Sequence, residues 1–125
     1  MYKKILLIDD DEDEQFFFTE ALKEISTPVK FFFAASSKEG MQLIKFLAPD
    51  IVFIDINMPL INGLECLEIL KSNREIEKVN AIIYSTGVND DISKLAIKNG
   101  AVTCIKKQPT IHDLATVLKN LLVLI

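Results

Sequence analysis

The stretch IVFIDINMPLING, Ile51 to Gly63, runs four apolar residues straight into a carboxylate, Asp55. It then breaks at Met58-Pro59 and again at Asn62-Gly63. A short continuous apolar run closed by turn signals reads as a strand covered on both faces. An acid at its end buries badly without partners, so the rest of the chain is read for what reaches the same place.

Four other runs share the pattern: Lys4–Ile8, Val29–Ala34, Val79–Tyr84 and Ala101–Ile105. Segments with a helical period lie between them. Phe18, Leu22 and Ile25 recur on one face, as do Met41 and Ile44, and Leu64, Leu67 and Leu70. Ile92, Leu95 and Ala96 precede Gly100, a helix stop. The last helix carries one stripe from Ile111 through Leu114, Ala115, Leu118, Leu121 and Leu122 to Ile125, with Thr110 as its cap. Strand and helix alternate five times over 125 residues. That predicts a single α/β domain over 1–125, a parallel sheet with helices on both faces.

Composition narrows the function classes. The net charge of −4 argues against nucleic acid as a direct partner, and no apolar run approaches the length of a membrane span. The start lacks the pattern of a signal peptide. Cys66 and Cys104 sit far apart in apolar surroundings and read as two buried, reduced thiols, which favours the cytoplasm.

Ligands of open α/β sheets bind beyond the carboxyl ends of the strands. The first strand ends in Asp9, Asp10 and Asp11, the third in Asp55, the fourth in Ser85 and Thr86, and the fifth in Lys106 and Lys107. Acids, a hydroxyl and an ammonium therefore meet on one rim, and these are the partners Asp55 requires. Crowded carboxylates call for a cation, and oxygen ligands suit Mg²⁺. A lysine and a hydroxyl opposite complete a cradle for a phosphoryl group, with a carboxylate as nucleophile. From Asp11 onward the acidic run reads as a solvated loop and first helical turn. Asn62-Gly63 reads as turn chemistry, and His112 as a surface residue. Phe16–Phe18 and Phe31–Phe33 cannot all face one core, so at least one of each triplet lies near the surface.

At this point the chain resembles the receiver domain of two-component response regulators. The resemblance rests on ILLIDDDED, IVFIDINMPLING, AIIYSTG and NGAVTCIKKQP in that order. Forty-five residues separate Asp10 from Asp55, 30 separate Asp55 from Ser85, and 22 separate Ser85 from Lys107. It implies a flavodoxin-like sheet of order 2-1-3-4-5 and Asp55 as phosphoacceptor. Asp10 becomes the direct Mg²⁺ ligand, with Asp9 acting through water, and Asp55 and the carbonyl of Asn57 completing the protein ligands. Ser85, rather than Thr86, is the switch hydroxyl; Lys107, rather than Lys106, is the pairing lysine.

The implied partners are a sensor histidine kinase or phosphotransfer protein and a downstream protein target. No membrane contact is expected, and the state is monomer or weak homodimer. The implied role is a signalling switch that catalyses only its own phosphorylation and dephosphorylation. The alternative is a degenerate receiver that binds partners constitutively. A Mg²⁺ phosphohydrolase would need an acid where Asn57 stands. Three departures from the family pattern stand out. Gln108 intervenes between the lysine and Pro109, where a cis bond would be costly without proline, so that loop is expected to differ in shape. Cys104 occupies the usual aromatic position, and Gly87 leaves the site without a covering side chain.

Overall fold

The computed structural model describes residues 2–73 and 78–125. Five strands, β1 (Lys3–Ile8), β2 (Val29–Ala34), β3 (Ile51–Ile54), β4 (Asn80–Ser85) and β5 (Thr103–Lys106), alternate with five helices. These are α1 (Glu12–Lys23), α2 (Ser37–Leu47), α3 (Gly63–Ser72), α4 (Asp90–Lys98) and α5 (Ile111–Leu124). The sheet is parallel with order β2-β1-β3-β4-β5, the flavodoxin-like fold expected from the sequence.

Side chains alternate across a strand, which explains the unbroken apolar runs. Leu6, Ile8, Val52, Ile54 and Ile83 pack on one face with Ile44 of α2, Leu67 and Leu70 of α3 and Ala96 of α4. Ile5, Leu7, Phe53, Ile82 and Tyr84 face the other side, against Phe18 of α1 and the whole α5 stripe. Thr110 caps α5 by accepting from the Asp113 N–H at 3.0 Å.

Several expectations need correction. The fifth strand begins at Thr103, not Ala101: Gly100 takes φ +106°, Ala101 N–H still donates to Ala96 O of α4, and the chain reaches β4 only with Val102 N–H, which donates to Ala81 O. Leu95 is exposed, since Ala96 is the one residue of α4 that is fully buried. Asn62-Gly63 is not a turn but the start of α3. The Asn62 side chain accepts from Glu65 N–H and the Glu65 side chain accepts from Asn62 N–H, a reciprocal capping box. Only one thiol is buried: Cys66 is enclosed, whereas Cys104 is half-buried near Ser93. Both are free, and burial raises both thiol pKa values.

Phe18 is buried while Phe16 and Phe17 are exposed. In the second triplet none is fully covered, and Phe31 stacks on Phe18 with ring centroids 5.6 Å apart.

Candidate phosphoryl site

Parallel pairing aligns the ends of β1, β3 and β4, so the residue after each strand arrives at one rim. Asp9 follows β1 and is locked there from both sides. Its N–H donates to Ala34 O at 3.0 Å, and its Oδ1 accepts from Asp11 N–H at 2.9 Å. Asp55 follows β3, its N–H donating to Ile8 O at 3.0 Å. Gly63 packs against the backbone just beyond, where an added Cβ would stand 2.2 Å from Asp55 O. Ser85 ends β4 and is buried, whereas Thr86 is exposed. Asn57 joins by its side chain, Nδ2 donating to Ser85 Oγ over a long 3.5 Å.

Lys106 is the last residue of β5 and faces solvent; Lys107 turns inward, its N–H donating to Ser85 O at 3.1 Å. The ammonium of Lys107 lies 2.9 Å from Asp9 Oδ2, 3.8 Å from Glu14 Oε1 and 4.0 Å from Asp55 Oδ2. Asp9, Asp55, Ser85 and Lys107 are therefore brought together at the rim, whereas Thr86 and Lys106 face solvent and Asp11 caps α1. Asp10, exposed beside the buried Asp9 and Asp55, completes a group whose carboxylate oxygens lie within 4.8 Å of one another.

The electrostatics are those of a crowded acidic cleft. Burial pushes the Asp9 carboxyl up to about 6, against the lowering effects of Lys107 and the Asp11 N–H. Burial also raises Glu14. For Lys107 burial acts downward, but Asp9, Asp55 and Glu14 outweigh it and the ammonium is held above its usual pKa. Asp55 Oδ1 is buried with no hydrogen-bond partner among the described residues. Asp9 Oδ2 meets Lys107 as an ion pair, without good hydrogen-bond geometry. An unmatched acceptor oxygen on Asp55, between the buried Asp9 and the exposed Asp10, is what a hard cation with a partial water shell requires. The residues fit Mg²⁺.

Sequence reasoning missed two features. Glu14 belongs to the site and not to the solvated part of the acidic run; its side chain is only 12% exposed, as is that of Lys107. The signal was present: Glu14 lies one helical turn before the core residue Phe18, on the same face. The second is Gln108, whose N–H donates to the Oη of buried Tyr84 at 2.9 Å while its Nε2 donates to Lys106 O. Proline in this position would have no N–H to give. The loop is thus tied to β4 directly beside Ser85 and Lys107, and no cis peptide bond occurs among the described residues. At Gly87 an added Cβ would reach only ordinary contact with Asn57 Nδ2, at 3.5 Å, so the rim is open there.

The tie makes a measurable prediction. Tyr84→Phe keeps the ring in place but strands the Gln108 N–H, at a cost of about 1–2 kcal/mol. In a Gln108→Pro background the same substitution should cost much less, because no donor is left unpaired. Urea unfolding of the four proteins reads the coupling; strictly additive costs would show that the bond carries no weight.

The fold has close counterparts. The response regulator domain of Thermotoga maritima CheB superposes with a TM-score of 0.85 at 23% identity, covering 99% of this chain and 96% of that one. The phosphorylated cyanobacterial phytochrome response regulator RcpA gives 0.84 at 23% identity, over 97% and 91%. In sequence, the probable C4-dicarboxylate response regulator DctR of Bacillus subtilis strain 168 is 34% identical over 74 residues. That alignment takes in 59% of this chain and 32% of DctR, so the similarity spans about a third of the relative's length. No helix among the described residues is long and apolar enough to cross a membrane. The response regulator receiver domain matches residues 5–119, and the chain belongs to that family.

Proposed function

We propose that residues 1–125 form one domain that works as the phosphoacceptor switch of a two-component system. Asp55 takes a phosphoryl group from the phosphohistidine of a sensor histidine kinase or a phosphotransfer protein. The observation that supports this most is the meeting of Asp55 with Asp9, Asp10 and Lys107, drawn from three separate strand ends, beside an Asp55 Oδ1 that no described residue hydrogen-bonds.

In the transfer, a carboxylate oxygen of Asp55 forms a bond to phosphorus as the P–N bond to the donor imidazole breaks. The bonding pair stays on the ring nitrogen. Water attacking phosphorus later breaks the Asp55 O–P bond, returning the carboxylate and releasing inorganic phosphate. Lys107, already 4.0 Å from Asp55 Oδ2, pairs with the new negative charge, and the Ser85 hydroxyl donates to a phosphoryl oxygen.

Asp10 and Asp55, the carbonyl of Asn57 and, through water, Asp9 would hold Mg²⁺. When bound, the ion supplies charge neutralisation for the transferring group. Movement of Ser85 and Lys107 then shifts an existing equilibrium of the face made by α4, β5 and α5, which a downstream protein target reads. The chemistry is confined to the protein's own phosphorylation and dephosphorylation. On this reading it is a cytoplasmic monomer or weak homodimer with no direct contact to nucleic acid or membrane.

Intact mass after incubation with Mg²⁺ and acetyl phosphate tests the reading. A gain of one phosphoryl group is expected in the parent and none in Asp55→Asn. No gain in a parent shown separately to bind Mg²⁺ would favour a degenerate receiver that binds its partners constitutively.

A further inference from the structure

Among the described residues Lys107 has three carboxylate neighbours, and the one from α1 is unexplained by the switch. Glu14 Oε1 stands 3.8 Å from the ammonium, slightly nearer than Asp55 Oδ2 at 4.0 Å. Glu14 shares the first turn of α1 with Glu12 and Asp13, which are exposed. A role at the helix N-terminus is common to all three, since each adds negative charge where the backbone N–H groups point. Only Glu14 is turned inward, one helical turn before buried Phe18. The cleft thus holds Asp9, Asp10, Asp55 and Glu14 against the single ammonium of Lys107.

We propose that Glu14 is a positioning residue of the phosphoryl site, a resident counter-ion that competes with the incoming phosphoryl group for Lys107. The proposal rests on Asp55 being the phosphoacceptor. Before transfer, Lys107 is shared among Asp9, Glu14 and Asp55, with Asp9 the closest at 2.9 Å. After transfer, the phosphoryl oxygens at Asp55 carry more charge than the carboxylate they replace and draw Lys107 towards them. Glu14 opposes this twice, by holding the ammonium back and by repelling the phosphoryl oxygens at close range. Its effect is therefore to slow the loading of the switch.

The test compares the parent with Glu14→Gln and Glu12→Gln under acetyl phosphate and Mg²⁺, following intact mass with time. Glu14→Gln keeps the shape and removes the charge, and should load roughly fivefold faster. Glu12→Gln loses the same helix-terminal charge and should track the parent. In a Lys107→Gln background the Glu14→Gln gain should shrink to about twofold or less, since only the direct repulsion remains. Glu14→Gln loading at the parent's rate would overturn the proposal.

A parent that takes up no phosphoryl group would instead overturn the assignment of Asp55. The ¹⁵N resonance of Lys107 Nζ then decides the case of Glu14 separately. It should move in Glu14→Gln and stay in Glu12→Gln, and an unmoved resonance would show that Glu14 does not hold the ammonium.

Discussion

Gly63→Ala should destabilise the protein by about 3 kcal/mol and slow phosphorylation of Asp55 with it. The cause is space, since the new methyl would stand 2.2 Å from Asp55 O, 2.8 Å from Asp55 C and 2.8 Å from Ile56 Cα. These are backbone atoms and cannot rotate away. Either the first turn of α3 lifts off, breaking the Asn62–Glu65 capping box and the Gly63 N–H bond to Ile56 O, or the peptide after Asp55 moves and takes the carboxylate with it. Gly40→Ala is the control. Its methyl would meet the buried side chain of Ile8, 2.3 Å from Cδ1 and 2.6 Å from Cγ1; Ile8 must repack at a cost, but the backbone beside Asp55 is untouched, and replacing a helix-interior glycine offsets roughly 1 kcal/mol of that cost. Thermal unfolding should rank Gly63→Ala well below Gly40→Ala, and only Gly63→Ala should load slowly. Equal losses at the two sites would show that the seat of α3 on Asp55 is less rigid than its geometry implies.

What could be read in the sequence was whatever depends on periodicity and strand ends. The apolar runs located the strands because both sheet faces are covered. Asp9 and Asp55 followed because each directly follows a run; at the other two strand ends the runs gave only the pairs Ser85-Thr86 and Lys106-Lys107, and the family resemblance chose Ser85 and Lys107. Alternation along a strand says only that the two lysines point opposite ways; in the structure it is Lys107 that points into the cleft and Lys106 to solvent. The sequence was poorer where tertiary contacts decide. Leu95 sits on the apolar face by count, yet α4 is only nine residues long and Ala96 is its one fully buried residue. Asn62-Gly63 has the composition of a turn, and its capping role depends on Glu65 folding back. The Gln108 N–H needs a hydroxyl from β4, 24 positions away in the chain, which no local pattern announces. Glu14 was hidden for a different reason: a run of acids looks solvated, and only the helical phase set by Phe18 separates one member from the rest.

The ionisation of Asp9 ties stability to both pH and Mg²⁺, with a sign opposite to that of most native carboxylates. Burial raises this group from 3.8 to about 6 in the folded protein, so between those values the native state binds more protons than the unfolded chain. Stability then falls as pH rises through the window, by an amount on the order of 3 kcal/mol for a group wholly removed from solvent. Burial of Glu14 acts in the same direction. The raised Lys107 contributes stability across this range and loses it only in alkali. A cation that associates with the ionised carboxylates competes with the proton, so Mg²⁺ should stabilise little near pH 5 and strongly near pH 7.5. In metal-free buffer Asp9→Asn should be more stable than the parent near pH 7.5, having no buried charge to accommodate, and should gain less from Mg²⁺. Thermal unfolding with and without Mg²⁺ at the two pH values checks each part. A Mg²⁺-induced rise in Tm that is the same at both pH values, and the same in Asp9→Asn, would mean that Asp9 is ionised throughout and that its burial is relieved by Lys107 alone.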